Sequence, residues 1–158
     1  MRNLLSANRI TLAIFCSLTC LSFCIGACET KKAAAPIVGT WQLLTGTIIE
    51  RNDTTVTDYT KGKKFIKIIN DTHFSFISHD LNQGKDSTAF YVSGGGTYTV
   101  KDSAYTENLE FCSDRTWENN SFHFTVAIHN DTLIQQGVEK IAGTPIDRLN
   151  IEKYIRIK

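Results

Sequence analysis

Disulfide bonds are the first thing this 158-residue sequence does without. Four of its five cysteines, Cys16, Cys20, Cys24 and Cys28, fall within the first 28 residues, which leaves Cys112 alone in everything that follows. With no internal staple, stability has to come from a packed core, and a chain of this size can bury about two thirds of its unfolded surface. Cys112 reads either as a reactive thiol or as a small buried hydrophobe, and a lone cysteine favours the second. Helical periodicity is also missing from Ile37 onward, which excludes a bundle or an α/β sandwich. There is no surplus of either charge, with 17 Lys and Arg against 16 Asp and Glu. Nothing in that balance favours a polybasic surface, so nucleic acid is not an expected partner. The signatures Gly-x-Ser-x-Gly, His-Glu-x-x-His, the P-loop and the dinucleotide fingerprint are absent, and no enzymatic activity and no cofactor are expected. His73 and His79, like His123 and His129, stand six apart, which in a strand separates the rings by about 20 Å. No metal site is expected from that spacing.

The first 27 residues read as a processing signal. Arg2 and Arg9 form a basic start, Ile10–Ile25 is apolar with scattered Ser, Thr and Cys, and small residues precede Cys28. Ile25-Gly26-Ala27-Cys28 resembles the lipobox of bacterial lipoproteins, with Ile where Leu is more frequent. The resemblance implies that Cys28 becomes the lipidated first residue of the mature chain. The alternative is an uncleaved anchor, since Ile10–Ala27 just reaches bilayer-spanning length. Either way the domain is expected on the outer-membrane or periplasmic side of a cell envelope. Residues 28–36 form a short tether and residues 37–158 the domain.

Within that domain short alternating segments recur. IVGTWQLLTGTII reads as a first strand with Trp41 and Leu43 on one face, and residues 50–64 as a loop or exposed edge. KFIKIIN and HFSFIS form a hairpin across Asn70-Asp71, residues that tolerate left-handed turns, and the same device recurs at Asn130-Asp131. Between these lie a strand at Thr88–Ser93 and a kinked hairpin around Gly94-Gly95-Gly96, a triplet suited to a bulge or a close backbone approach. In its second arm Tyr105, Glu107, Leu109 and Phe111 share one face. A polar loop, Cys112–Asn120, is interrupted by Trp117. The last strand, Arg148–Lys158, puts Leu149, Ile151, Ile155 and Ile157 on one face and Asn150, Glu152, Tyr154 and Arg156 on the other. This pattern predicts an all-β fold, an antiparallel up-and-down β-barrel of eight to ten strands.

Gly39-Thr40-Trp41 resembles the Gly-x-Trp opening of the lipocalins and related calycins. THFSF (Thr72–Phe76), GGGTYTV (Gly94–Val100) and YTENLEF (Tyr105–Phe111) resemble a group of lipocalin-like lipoproteins of Gram-negative bacteria. The resemblance implies a lipocalin-like barrel in which Trp41 plugs one end and Arg156 packs across it.

If Leu109 and Phe111 point into such a barrel, parity carries Tyr105 and Glu107 inward too. A buried carboxylate must be paired, hydrogen-bonded or protonated. Lys67, on the same face as Phe65 and Ile69, is its first candidate partner. Tyr98 is a candidate hydrogen-bond donor and Phe76 a candidate wall. These five residues, Lys67, Phe76, Tyr98, Tyr105 and Glu107, are the expected lining of a site for a small, largely apolar molecule. The bland alternative leaves Glu107 in water near a rim or in a structural pair with Lys67 or Arg156. A further alternative is an interaction module with a filled barrel that works through its rim loops, residues 50–64 and 112–120.

Overall fold

Alternating side chains, rich in β-branched and aromatic residues, favour strands from Ile37 onward, and nine form among the described residues. The computed structural model describes residues 36–158; the expected signal over residues 1–27, the lipidation at Cys28 and the tether up to residue 35 lie outside them. In chain order the strands are β1 (Gly39–Glu50), β2 (Asp53–Asp58), β3 (Lys63–Ile69), β4 (His73–Asp80), β5 (Tyr91–Lys101), β6 (Ala104–Cys112), β7 (Asn120–His129), β8 (Thr132–Lys140) and β9 (Asp147–Ile157). Among the described residues the one helical segment is a single 3-10 turn, Arg115–Trp117, opened by the Asp114 carboxylate accepting from the Thr116 amide.

All neighbouring strands are antiparallel. β3 to β9 follow in sequence order, and β1 closes the circle by pairing with both β3 and β9. β1 is long enough for two partners on one edge: Gly39–Gln42 pair with β3 and Thr45–Glu50 with β2. The outcome is a closed eight-stranded up-and-down barrel with β2 as an extra strand at one end. Closure leaves no long unpaired edge on the eight. Residues 50–64, read as a loop or exposed edge, supply β2, which is exposed along most of its length.

The two Asn-Asp turns work by different means. Asn130 does take a left-handed backbone, with φ 53°. Asn70 instead turns the chain with its side chain, whose Oδ1 accepts from the amides of Thr72 (2.9 Å) and His73 (2.7 Å). The strand expected at Thr88–Ser93 begins only at Tyr91 and runs unbroken through the three glycines to Lys101.

Two bulges decide which side chains face inward. In β1, Leu44 is the extra residue between the pairs Leu43–Tyr154 and Thr45–Lys153, and its carbonyl accepts from the Tyr59 amide (2.9 Å). In β6, Glu110 is extra: Gly95 pairs with Phe111 and Gly96 with Leu109. Tyr105, Glu107 and Leu109 point inward as their spacing predicts, but Phe111 does not. It is 66% exposed, because one inserted residue reverses the alternation beyond it. The glycine triplet permits this. A Cβ on Gly96 would collide with the Asn108 carbonyl and the Glu110 amide, and one on Gly94 would strike the Phe76 ring.

β9 turns its polar face inward, the side on which Arg156 is expected to cross Trp41. Its aliphatic row, Leu149, Ile151, Ile155 and Ile157, lies on the outer face, while Asn150 and Tyr154 are buried, with Arg148, Glu152 and Arg156 on the same inner side. On β8 Leu133 and Gln135 point in while Ile134 (37% exposed) and Val138 (54%) point out.

One half of the interior is solid. Trp41, Leu43, Ile69, Phe74, Tyr105, Val126, Leu133 and Tyr154 are all buried there, each contributing roughly 1.5–3 kcal/mol through burial. At the closed end Trp41 donates from Nε1 to the Ile37 carbonyl (2.8 Å). Arg156 lies across it, its guanidinium carbon 4.0 Å from the ring centroid, and donates to the carbonyls of Val38 (2.8 Å) and Pro36 (2.5 Å). The guanidinium passes Gly39 so closely that a side chain there would collide with it.

The bulge gives a direct test of the register. Gly96→Ala forces a Cβ into backbone atoms that cannot yield and is expected to cost about 2–3 kcal/mol in urea unfolding. Phe111→Ser should change stability by no more than about 0.5 kcal/mol, the behaviour of a surface position. A large loss from Phe111→Ser would mean that Phe111 belongs to the core.

Candidate functional site

Above the filled half the barrel is hollow. A cavity of about 440 Å³ lies toward the end that carries the β2–β3, β4–β5, β6–β7 and β8–β9 connections. Its floor is a polar cluster. Lys67 from β3, 2% exposed, donates to Glu107 Oε1 on β6 at 2.5 Å and to Gln135 Oε1 on β8 at 3.1 Å. Rings surround the ammonium: the centroids of Phe74, Tyr105 and Tyr154 lie 5.5, 5.9 and 5.7 Å from Nζ. An ammonium removed from water gains from such rings as well as from its carboxylate.

Burial pushes the Glu107 carboxyl above its ordinary value, and the Lys67 ammonium pulls the other way without cancelling it. The Tyr105 hydroxyl, buried beside this pair, has no hydrogen-bond partner at bonding geometry among the described residues. Burial, with the charge of Glu107 second, raises it far above the usual tyrosine range.

A second polar cluster stands nearer the mouth, on the inward face of β8 and β9. Glu139 accepts from Arg148 Nε (2.8 Å) and from Asn150 Nδ2 (2.8 Å), and burial raises its carboxyl against the pull of Arg148. The Arg148 guanidinium lies 5.1 Å from the Trp117 ring, which in turn meets Phe122 (centroids 5.6 Å apart). Trp117 reaches this place because the loop that carries it is tied down: Glu118 accepts from the Cys112 amide (2.9 Å) and from Arg115 Nε (2.8 Å). The opposite wall is aromatic. Phe65 stacks on Phe76 (5.7 Å, 10°) and meets Tyr59 edge-on (5.9 Å, 78°). Cys112 joins the lining, and burial pushes its thiol up, away from the reactive thiolate. Among the described residues no three His, Cys, Asp or Glu side chains converge as a metal site would need.

Comparison with known proteins adds one likeness. The chain is similar to a lipocalin-like protein from Bacteroides uniformis of known crystal structure. The two share 14% identity and a TM-score of 0.48, over 76% of this chain and 97% of that one. No protein-family model matches the chain, and no curated protein matches it. What the barrel does has to be read from its own walls.

Of the five residues expected at the site, Lys67, Phe76 and Glu107 line the cavity. Tyr105 lies beneath them in the packed half, touching the Lys67–Glu107 pair. Tyr98 is elsewhere: its hydroxyl donates to the Asn70 carbonyl (2.7 Å) at the β3–β4 turn, and its ring meets Tyr105 (5.4 Å). Sequence spacing did not single out Gln135, Glu139, Arg148, Asn150 or Glu152. Alternation alone leaves the inner face of β8 and β9 open, and buried Leu133 and Tyr154 show that the polar rows share theirs.

The floor pair is expected to behave as a unit. Glu107→Ala leaves a buried ammonium without its counter-charge and should cost about 3–5 kcal/mol in urea unfolding. Lys67→Met combined with Glu107→Leu should recover most of that loss, because an apolar pair of similar volume needs no partner. If the double variant is as unstable as Glu107→Ala alone, the two side chains are not coupled.

Proposed function

We propose that this protein is a membrane-tethered lipoprotein whose barrel binds a small, largely apolar molecule in the hollow above the Lys67–Glu107 pair. The observation that carries the reading is the cavity of about 440 Å³, walled by Phe65, Phe76, Tyr59, Trp117 and Phe122 and floored by a few convergent polar groups. Small-molecule sites have this volume and this combination of aromatic walls with convergent polar groups. Lys67, Glu107 and Gln135 orient the deep end of the ligand, and Phe76 stacks along its body. Tyr105 supports the floor from below. Nothing favours the alternative of a filled barrel working through its loops, since half of this one is unfilled.

The resemblance of THFSF, GGGTYTV and YTENLEF to lipocalin-like lipoproteins of Gram-negative bacteria supports the same reading, as does the Ile25-Gly26-Ala27-Cys28 stretch. On that basis the chain is anchored through lipid on Cys28 at the outer membrane or on the periplasmic side of the envelope. The membrane and the apolar ligand are its proposed partners.

The neutral apolar dye N-phenyl-1-naphthylamine should bind one to one with enhanced fluorescence. Cys112→Trp, which projects bulk into the hollow, should weaken it by about tenfold or more with little change in melting temperature, the expected behaviour of a filled pocket. Failure of the dye to bind, or indifference to Cys112→Trp, would refute interior binding.

The tether has its own test. Cys28→Ser should move the protein from the membrane to the soluble fraction after cell breakage, because the lipid chains supply the membrane affinity. Continued retention in the membrane would favour an uncleaved apolar anchor and remove the lipidation assignment.

A further inference from the structure

The cavity walls carry more negative charge than positive, and the imbalance has a location. Four carboxylates line the hollow, Glu107, Asp114, Glu139 and Glu152, against two cations, Lys67 and Arg148. Both cations are spoken for. Lys67 is held by Glu107 and Gln135, and Arg148 by Glu139 while it lies over Trp117. An anionic ligand could claim either one only by leaving a buried carboxylate uncompensated, which is costly. Asp114 is occupied as the cap of the 3-10 turn.

Glu152 is different. It accepts one hydrogen bond, from the Tyr154 hydroxyl at 2.8 Å, and no cation pairs with it among the described residues. Its field spreads through the site: it raises the carboxyls of Glu107 and Glu139 and the hydroxyls of Tyr59 and Tyr154. In the sheet Glu152 stands between Gln135 on β8 and Gly46 on β1. Gly46 has no side chain, and the Tyr59 ring closes over the space it leaves. Tyr59 meets Phe65 edge-on, and Phe65 is tilted against Tyr154 at 6.3 Å. An unpaired carboxylate thus faces a roomy cavity beside several aromatic rings, the surroundings in which an organic cation is stabilised by charge and by ring faces together.

Resting on the reading of the barrel as a ligand carrier, we infer that its ligand has an apolar body and one positively charged amine end. Glu152 is the counter-ion of that amine, with Tyr59 and Phe65 flanking it. The inward-facing polar row of β9 then has a use beyond structure. Arg148 and Asn150 hold Glu139 in place, so the carboxylate left open to the ligand is Glu152.

Three ligands with one tail and three heads test this: octylamine, 1-octanol and octanoate, titrated calorimetrically at pH 7 into the full mature chain. Octylamine should bind about tenfold or more tightly than 1-octanol, a discrimination typical of a partly desolvated charge pair, and octanoate weakest. Glu152→Gln should bring octylamine down to the affinity of 1-octanol while leaving 1-octanol unchanged. Equal affinities for the three in the unmodified protein, or octanoate binding tightest, would overturn the inference without any variant being needed. In that event the apolar-ligand reading would stand on the naphthylamine result. Failure of all three to bind would overturn the inference and count against the carrier reading as well. An amine preference that survives Glu152→Gln would also overturn it, by moving the counter-ion elsewhere.

Discussion

A charged pair in the middle of a barrel has to be fixed from several strands at once, and the Lys67–Glu107 contact does this here. It joins β3 to β6 across the interior, and Gln135 brings in β8. Below it the interior is closed by rings and aliphatic chains; above it the interior is open. Two ions out of water are tolerable only where each finds its partner and its remaining hydrogen bonds. The rings of Phe74, Tyr105 and Tyr154 keep water from the pair's lower side. The same desolvation that raises the Glu107 carboxyl makes the pair intolerant of losing either member.

The hollow half depends on a second departure from a simple core. β8 and β9 turn Gln135, Glu139, Arg148, Asn150 and Glu152 inward and leave much of their aliphatic surface outside. Had the apolar rows faced in, Leu149, Ile151 and Val138 would have had every reason to meet Phe65 and Phe122 across the barrel. Polar side chains that already have partners on their own wall do not collapse that way, since collapse would break bonds it could not replace. The Glu139–Arg148–Asn150 cluster therefore keeps the cavity open as well as lining it.

The fold was legible because closure asks only for alternation and short turns, and both are written plainly from Ile37 onward. The partnership of Lys67 with Glu107 was legible for the same reason: Lys67 shares parity with Ile69, and Glu107 with Tyr105 and Leu109, all of them buried. Phe111 was not, because the bulge at Glu110 is a property of backbone contact between β5 and β6, and Gly94-Gly95-Gly96 announces an irregularity without saying on which strand the extra residue falls. On β9 alternation separated an aliphatic from a polar face but did not say which one looks inward, apart from Arg156 at Trp41. Tyr98 was placed by its alternation, which holds, but it sits near the β5–β6 turn, within reach of the Asn70 carbonyl and away from the hollow.

The inward polar row of β9 bears on what the barrel can hold. A strand that spends its inward positions on Arg148, Asn150 and Glu152 gives up apolar burial that would have stabilised the fold at roughly 25 cal/mol per Å². Two of the three are absorbed by Glu139. The third adds negative charge to a wall that already holds two carboxylates raised by burial, and its own field raises them further. On the proposed reading, a positive charge arriving among them would offset that repulsion. The polar row of β9 is accounted for by the proposed occupant, whose charge would complete the wall.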